Sequence, residues 1–259
     1  MKIAVSGKGG VGKSTVAAAL ALILARRGHN VLAVDSDPDA NLASALGVPH
    51  AQQASIVPIS KQIALIEERT GARVSQYGQV FKINPEVSDV AGQYATEHNG
   101  VKLLVLGAVK GGGSGCACPE NTFLRALVTD LVLYKDDTLI LDMEAGIEHL
   151  GRGTARGVDV MLVVVEPGQR AVDCALTVRR MAGDLGIKRL AYIANKVNGP
   201  EDEQFLRQAL PDAQWLAFLP YSQSVRGADR DGVSVLDMLQ GDLLAQFQAI
   251  ADQLVGGNA

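Results

Sequence analysis

"GKGGVGKST", Gly7 to Thr15, follows the apolar stretch "KIAVS" and opens a helical pattern running from Lys13 to Arg27. It fits the phosphate-loop pattern, with Gly7, Gly12, Lys13 and Ser14 at the required positions. The chemistry explains the spacing. Glycines let backbone N–H groups converge on phosphate oxygens, and a helix N-terminus favours negative charge. The whole run of Gly7, Gly9, Gly10, Val11, Gly12, Lys13, Ser14 and Thr15 is therefore assigned to a bound nucleotide. Lys13 is expected to reach the β- and γ-phosphates, and the Ser14 hydroxyl to hold Mg²⁺. A tight strand–helix turn is the bland alternative, and the full pattern in its strand–loop–helix context argues against it.

Outward from the loop, short runs rich in valine, isoleucine and leucine recur: "HNVLAVDSD", "KLLVLGAV", "TLILDME", "DVMLVVVEP", "RLAYIANKV" and "QWLAFLP". Helical patterns lie between most of them, Ala171 to Leu185 among them. Strands alternating with helices imply crossover units and a mostly parallel sheet with helices on both faces, an α/β class. Residues 51–100 carry only weak helix and turn signals and are read as an insertion within one P-loop domain spanning 1–259. No internal repeat and no long polar linker is visible.

With 259 residues, 47% of them hydrophobic, the chain can bury one sizeable core. A net charge of −4 argues against a nucleic-acid partner, which requires a basic face. The apolar run "VAAALALILA", Val16 to Ala25, is about half the length of a membrane span. It follows a glycine-rich loop and not a basic leader, so neither a signal peptide nor a membrane partner is expected. Three cysteines make no disulfide framework, and a reducing, cytoplasmic location is the expectation.

Lys8, the second loop position, is not needed to bind one nucleotide. On this residue the chain resembles the deviant Walker A ATPases, the class of the nitrogenase iron protein, MinD and ParA. The resemblance implies that Lys8 crosses a homodimer interface to the partner's nucleotide, stabilising charge as an arginine finger does. It also implies roles for two aspartates. Asp37 in "DSDPDANL" matches the aspartate that positions the attacking water, with Asp35 structural near the Mg²⁺. Asp142 in "LILDMEAGIEH" matches a second switch aspartate acting through water on the Mg²⁺, and Gly146 lets the following backbone shift with the γ-phosphate. A strand-end turn or helix cap is the plain alternative for either aspartate.

The base is argued from "ANKVNG". A guanine-reading N-K-x-D segment needs a terminal carboxylate, and here that position holds Asn198, whose amide has one acceptor oxygen and two donors. Asn195 can still pair with adenine, so ATP is expected over GTP. "FLPY", around Pro220, resembles the adenine-side loop of the class.

"GSGCACPE", Gly113 to Glu120, carries two thiols, Cys116 and Cys118. Two buried small residues or a redox pair are the bland readings, and a Cys-x-Cys ring is strained against usual disulfide geometry. Pro119 and Glu120 suggest a helix starting just after the pair, whose N-terminus would favour thiolates. Thiolates select soft or borderline metals. The dimer that Lys8 implies would bring two such pairs to a two-fold axis and supply four sulfurs. A tetrahedral set suits Zn²⁺ and a square-planar one Ni²⁺. Cys174, within a helical pattern, reads as packing.

Taken with "DMEAGIEHLGRG", these motifs are similar to those of the CooC-type ATPases that mature nickel-containing carbon monoxide dehydrogenase. That resemblance implies nickel delivery, with carbon monoxide dehydrogenase as the client. Maturation ATPases for acetyl-CoA synthase share the motifs, and four thiolates at a dimer axis can also hold an iron–sulfur cluster. A positioning or partitioning ATPase is disfavoured by the C-terminal stretch. Leu239, Leu243, Phe247, Ile250 and Leu254 mark an apolar helix face there, with acidic Asp242 and Asp252 in place of basic residues.

Overall fold

The valine-, leucine- and isoleucine-rich runs become strands because β-branched and apolar side chains suit a sheet covered on both faces. The computed structural model describes residues 1–37, 40–74, 76, 78–108, 118–144 and 150–256, apart from the side chains of Arg152 and Asp229. The strands are β1 (Lys2–Ser6), β2 (Val31–Asp35), β3 (Thr96–His98), β4 (Val101–Val105), β5 (Thr138–Asp142), β6 (Val160–Val165), β7 (Leu190–Val197) and β8 (Trp215–Pro220). They form one sheet in the order β3-β4-β2-β5-β1-β6-β7-β8. Every pairing is parallel except β3 against β4.

All residues of β1, β2, β5 and β6 are buried, as expected of central strands with helices on both sides. The helix Lys13–Arg26 is the innermost cover. Its residues from Val16 to Leu24 are at most 5% exposed, so it is apolar all round and acts as a core helix. Truncating Leu20, which is 0% exposed, would cost about 2–5 kcal/mol through lost burial and the cavity left behind. The last described helix, Gly241–Gly256, buries Phe247, Ile250, Ala251 and Leu254 on the domain, which accounts for most of the apolar face seen in the sequence; Leu243 is only partly buried, and Leu239 lies before this helix, at the end of the short helix Val235–Met238. No described helix is long and apolar enough to cross a membrane.

β3 is the one strand the sequence did not reveal. Three residues, "TEH", are too few to show a two-residue alternation, and none of them is buried. It pairs Glu97 with Lys102 across the ladder and closes the β4 edge. Residues 51–100 carry the chain from β2 towards β4 through the helices Ile63–Thr70 and Val90–Tyr94. Ile59, Leu65, Ile66 and Val90 pack into the same core as the sheet.

The parallel strands send their loops out of one edge. β1 lies between β5 and β6, and ligands of open α/β sheets bind outside the carboxyl ends at such a point. The order β4-β2-β5-β1 has a further consequence. The strand leading to the thiol segment is three positions, roughly 14 Å at ~4.8 Å per strand, from the phosphate-loop strand. The strands that end in Asp35 and Asp142 lie between them.

Candidate nucleotide site

The loop after β1 owes its path to glycine. Gly7 has φ 148°, and a Cβ there would run into the Val164 carbonyl at the end of β6. Gly12 has φ 98° in the left-handed region and caps the helix Lys13–Arg26. A Cβ on Gly12 would meet the Asn195 side-chain amide. That amide donates 2.8 Å to the Val11 carbonyl, and Lys196 Nζ donates to the Gly10 carbonyl. The end of β7 therefore ties the loop at two consecutive points, and only a glycine at position 12 leaves room for the first.

Lys13, the first helical residue, is 6% exposed, and its Nζ lies 3.6 Å from Asp37 Oδ2. Asp35 is fully buried at the end of β2. It accepts from the Leu42 N–H at 2.9 Å and the Asp37 N–H at 3.2 Å, so it holds the turn that presents Asp37. Burial pushes its carboxyl up to about 6 despite those two hydrogen bonds. Asp142 is its partner in the β2–β5 register and is also fully buried. Burial drives its pKa up to about 7; the nearby Ser14 hydroxyl pulls it down and the Asp35 charge adds to the rise. Ser14 is close enough to act electrostatically, yet neither Asp142 oxygen has a hydrogen-bond partner of normal geometry among the described residues.

Three carboxylates beside one ammonium and one hydroxyl form an acidic pocket with an unsatisfied buried oxygen pair. That donor set is all oxygen and fits a hard cation. No three His, Cys, Asp or Glu side chains among the described residues converge as direct ligands. The fit is thus to an ion held largely through water and phosphate oxygens, as Mg²⁺ usually is.

The loop floors a cleft of about 840 Å³. The loop residues Gly9, Gly10, Gly12, Lys13, Ser14 and Thr15 line it with Asp37, Asn195, Lys196, Pro220 and Tyr221, and Val225, Val235, Leu243 and Phe247 add apolar surface. The size and the mix of polar loop and apolar lining suit a nucleotide with its phosphates on the loop. Asn198 is exposed and outside the lining. Its N–H donates 2.8 Å to Asp202 and its Nδ2 donates to the Lys196 carbonyl. Lys8 stands at the rim, 37% exposed, with Nζ 3.6 Å from Glu166 Oε1.

Two residues beside the phosphate loop escaped the sequence analysis, Glu166 outside the cleft lining and Lys196 within it. Glu166 follows β6 in "VVVEPG" and pairs with Lys196 at 3.2 Å as well as with Lys8. Its signal was position alone: an acid at the carboxyl end of a parallel strand. Lys196 stood inside the "ANKVNG" segment that was read for its base contacts and not for its loop contacts.

Of the thiol pair, Cys118 is described. It is half-buried at the N-cap of the helix Pro119–Tyr134, and its carbonyl accepts from the Thr122 N–H at 3.0 Å. The helix starts at Pro119 with Glu120 in its first turn, the arrangement the sequence suggested. Cys116 and Gly146 lie outside the described residues. Cys174 is half-buried against the core, and burial raises its thiol pKa.

A phosphate loop on a parallel sheet, with aspartates at the ends of the next two strands on one side of it, defines a P-loop ATPase of the MinD/ParA class. Matching residues 2–235 to the model of the CobQ/CobB/MinD/ParA nucleotide binding domain shows that the chain belongs to that family. It is 44% identical over 238 residues to the carbon monoxide dehydrogenase accessory protein CooC of Rhodospirillum rubrum, covering 92% of this chain and 90% of that one. An uncharacterized ATP-binding protein of Methanocaldococcus jannaschii is 44% identical over 228 residues, 87% of each chain. The MinD cell division protein of Aquifex aeolicus has the same fold, with a TM-score of 0.69 at 19% identity over 99% of this chain and 98% of that one. MinD from Pyrococcus horikoshii, solved with Mg-ADP, gives 0.65 at 22% identity over 100% and 98%.

Proposed function

We propose that this protein is an ATP-driven nickel chaperone that helps load carbon monoxide dehydrogenase. The observation that carries the reading is the near full-length identity to CooC, an accessory protein of that enzyme. The acidic pocket beside the phosphate loop and the position of Cys118 at a helix start support it.

In this reading ATP occupies the cleft. Water adds to the γ-phosphorus, the bond from that atom to the β,γ-bridging oxygen breaks, and ADP and inorganic phosphate leave. Lys13 stabilises charge on the β- and γ-phosphates. Asp37, 3.6 Å from Lys13, orients the attacking water. The Ser14 hydroxyl would hold Mg²⁺, which when bound would neutralise phosphate charge. Asp142, buried and without a hydrogen-bond partner of normal geometry among the described residues, would act on that ion through water. Lys8 of one copy reaches the nucleotide of the other, so ATP closes a homodimer.

The metal is cargo. Cys116 and Cys118 from each of two copies supply four sulfurs, and Ni²⁺ or Zn²⁺ binds when the dimer closes. The aspartate-bearing strands lie between the loop strand and the strand that precedes the thiol segment, and switch segments ordered by the γ-phosphate relax after it leaves, which would carry the change towards the thiols. Linkage requires that metal tighten ATP binding by the factor by which ATP tightens metal binding. Metal analysis of anaerobically purified protein, with sedimentation in the presence and absence of ATP and Ni²⁺, tests the reading. One metal per ATP-bound dimer is expected. A brown protein with an iron–sulfur absorption band, or one metal per monomer without dimer formation, would overturn it.

A further inference from the structure

Glu166 is not itself among the residues lining the cleft, yet two lysines beside the phosphate loop converge on it. Its Oε1 lies 3.6 Å from Lys8 Nζ and its Oε2 lies 3.2 Å from Lys196 Nζ. Lys196 also donates to the Gly10 carbonyl and holds an uncommon left-handed backbone at φ 59°. One carboxylate thus fixes Lys8, the lysine at the second position of the loop, against the chain's own β6 end. It does so from outside the phosphate-binding cradle.

We infer that Glu166 is a positioning residue that holds Lys8 within its own chain and so sets the threshold for ATP-driven dimerisation. The inference rests on the reading above in which Lys8 reaches the nucleotide of a second copy. A side chain cannot do both. Leaving Glu166 removes an ion pair, and the second copy's phosphates must supply a stronger one. Phosphates that carry the γ-group offer more negative charge than ADP, so the exchange favours ATP over ADP and ties closure to nucleotide state. Lys196 stays behind on Glu166 and on Gly10, so the carboxylate is not left unpaired when Lys8 departs. That second lysine lowers the cost of release and makes the exchange reversible after hydrolysis.

The pair is partly exposed, Lys8 at 37% and Glu166 at 27%, so its strength is that of a screened surface pair. Two such pairs break per dimer, and the factors multiply. Glu166→Gln keeps the shape and removes the charge, and should tighten the dimer formed with Mg²⁺ and the non-hydrolysable analogue AMPPNP by about fivefold, on the scale of ~0.5 kcal/mol per exposed pair.

The measurement is the dimer Kd by sedimentation equilibrium with Mg²⁺ and AMPPNP, alongside nucleotide affinity of the monomer at low protein concentration. Glu166→Gln and Glu166→Ala should both tighten the dimer while monomer affinity stays the same, and the gain should shrink at high salt. Lys8→Ala should abolish dimer formation, and adding Glu166→Gln to it should restore nothing. A dimer Kd unchanged or weakened in both Glu166 variants, with Lys8→Ala still monomeric, overturns the role of Glu166 and leaves the Lys8 reading intact. Dimers of normal strength in Lys8→Ala overturn the Lys8 reading itself.

Discussion

The phosphate loop and the start of the Pro119–Tyr134 helix leave the same edge of one sheet, but they are built to different degrees by one chain. The loop's carbonyls are tied by Asn195 and Lys196, its glycines are shaped by close neighbours, and Lys13 is buried against Asp37. Cys118, by contrast, sits half-buried at a helix cap, and no set of metal ligands forms around it among the described residues. The difference suggests a division of labour. Nucleotide binding is preorganised in the monomer, where rigid placement lowers the entropic cost of capturing the phosphates. Under the proposed function, metal binding is deferred to an assembly, which would make it switchable.

The largest effect should come from breaking the preorganised side. Lys13→Ala should lower phosphate release in a steady-state assay by ~1,000-fold or more, since the charge it supplies to the γ-phosphate is a dominant catalytic term. Asp37→Ala should retain ATP binding but lose turnover, trapping the dimer. Turnover near normal in either variant would break the comparison at its stronger end.

The deferred side should fail differently. Cys116→Ser or Cys118→Ser should weaken Ni²⁺ binding by at least about 100-fold, because even outer-shell partners of a metal site cost 10–100-fold. ATPase activity without metal should change little. Cys174→Ser should bind metal normally, and equilibrium dialysis with the three variants separates these outcomes.

A third test sharpens what preorganisation costs. The Asp142 carboxyl is raised from an ordinary 3.8 to about 7, and Asp35 from 3.8 to about 6. Both groups hold more protons folded than unfolded between those limits. Stability without ligand should therefore fall as pH rises from about 4 to about 7, and these groups penalise folding fully only above it. Asp142→Asn should raise the melting temperature of the nucleotide-free protein at pH 8 by several degrees, at ~2–4 °C per kcal/mol for this size. The gain should vanish near pH 4, and ATP hydrolysis should be lost. A lower melting temperature at pH 8 would contradict an uncompensated buried charge.

The smallest effect is expected at Asn198. Its side chain is exposed and outside the cleft lining. Asn198→Asp should leave the ratio of ATP to GTP affinity within about twofold in competition binding, the range of a typical surface change of up to ~0.5 kcal/mol. A clear gain in GTP affinity would move the base to this segment and away from the Pro220–Tyr221 side.

Local chemistry made much of this legible. The phosphate loop needs its glycines and its lysine wherever it occurs, because the phosphate geometry does not change from protein to protein. The buried strands had to be continuous apolar runs. The helix Gly241–Gly256 showed its packed face by spacing alone. β3 was invisible because three polar residues have no periodicity to read. Asn195 was legible as a residue of interest but not as a tether, since its partner Val11 is 184 positions away in the chain.

The sequence by itself determined the class of fold, the phosphate cradle, and the presence of two thiols too few to close a four-sulfur site. It could do so because each depends on contacts among near neighbours or on the repeat of apolar residues along one element. Only the tertiary structure decided that Asp35 and Asp142 lie buried side by side across the β2–β5 ladder, where burial raises both pKa values and the Asp35 charge adds to the rise at Asp142. It alone brought Glu166 to Lys8 and Lys196 from three separate strand ends. The physical reason is common to both. Burial and charge–charge interaction both depend on what surrounds a group in space, and strand order, which sets those surroundings, is a property of the folded sheet and not of any stretch of chain.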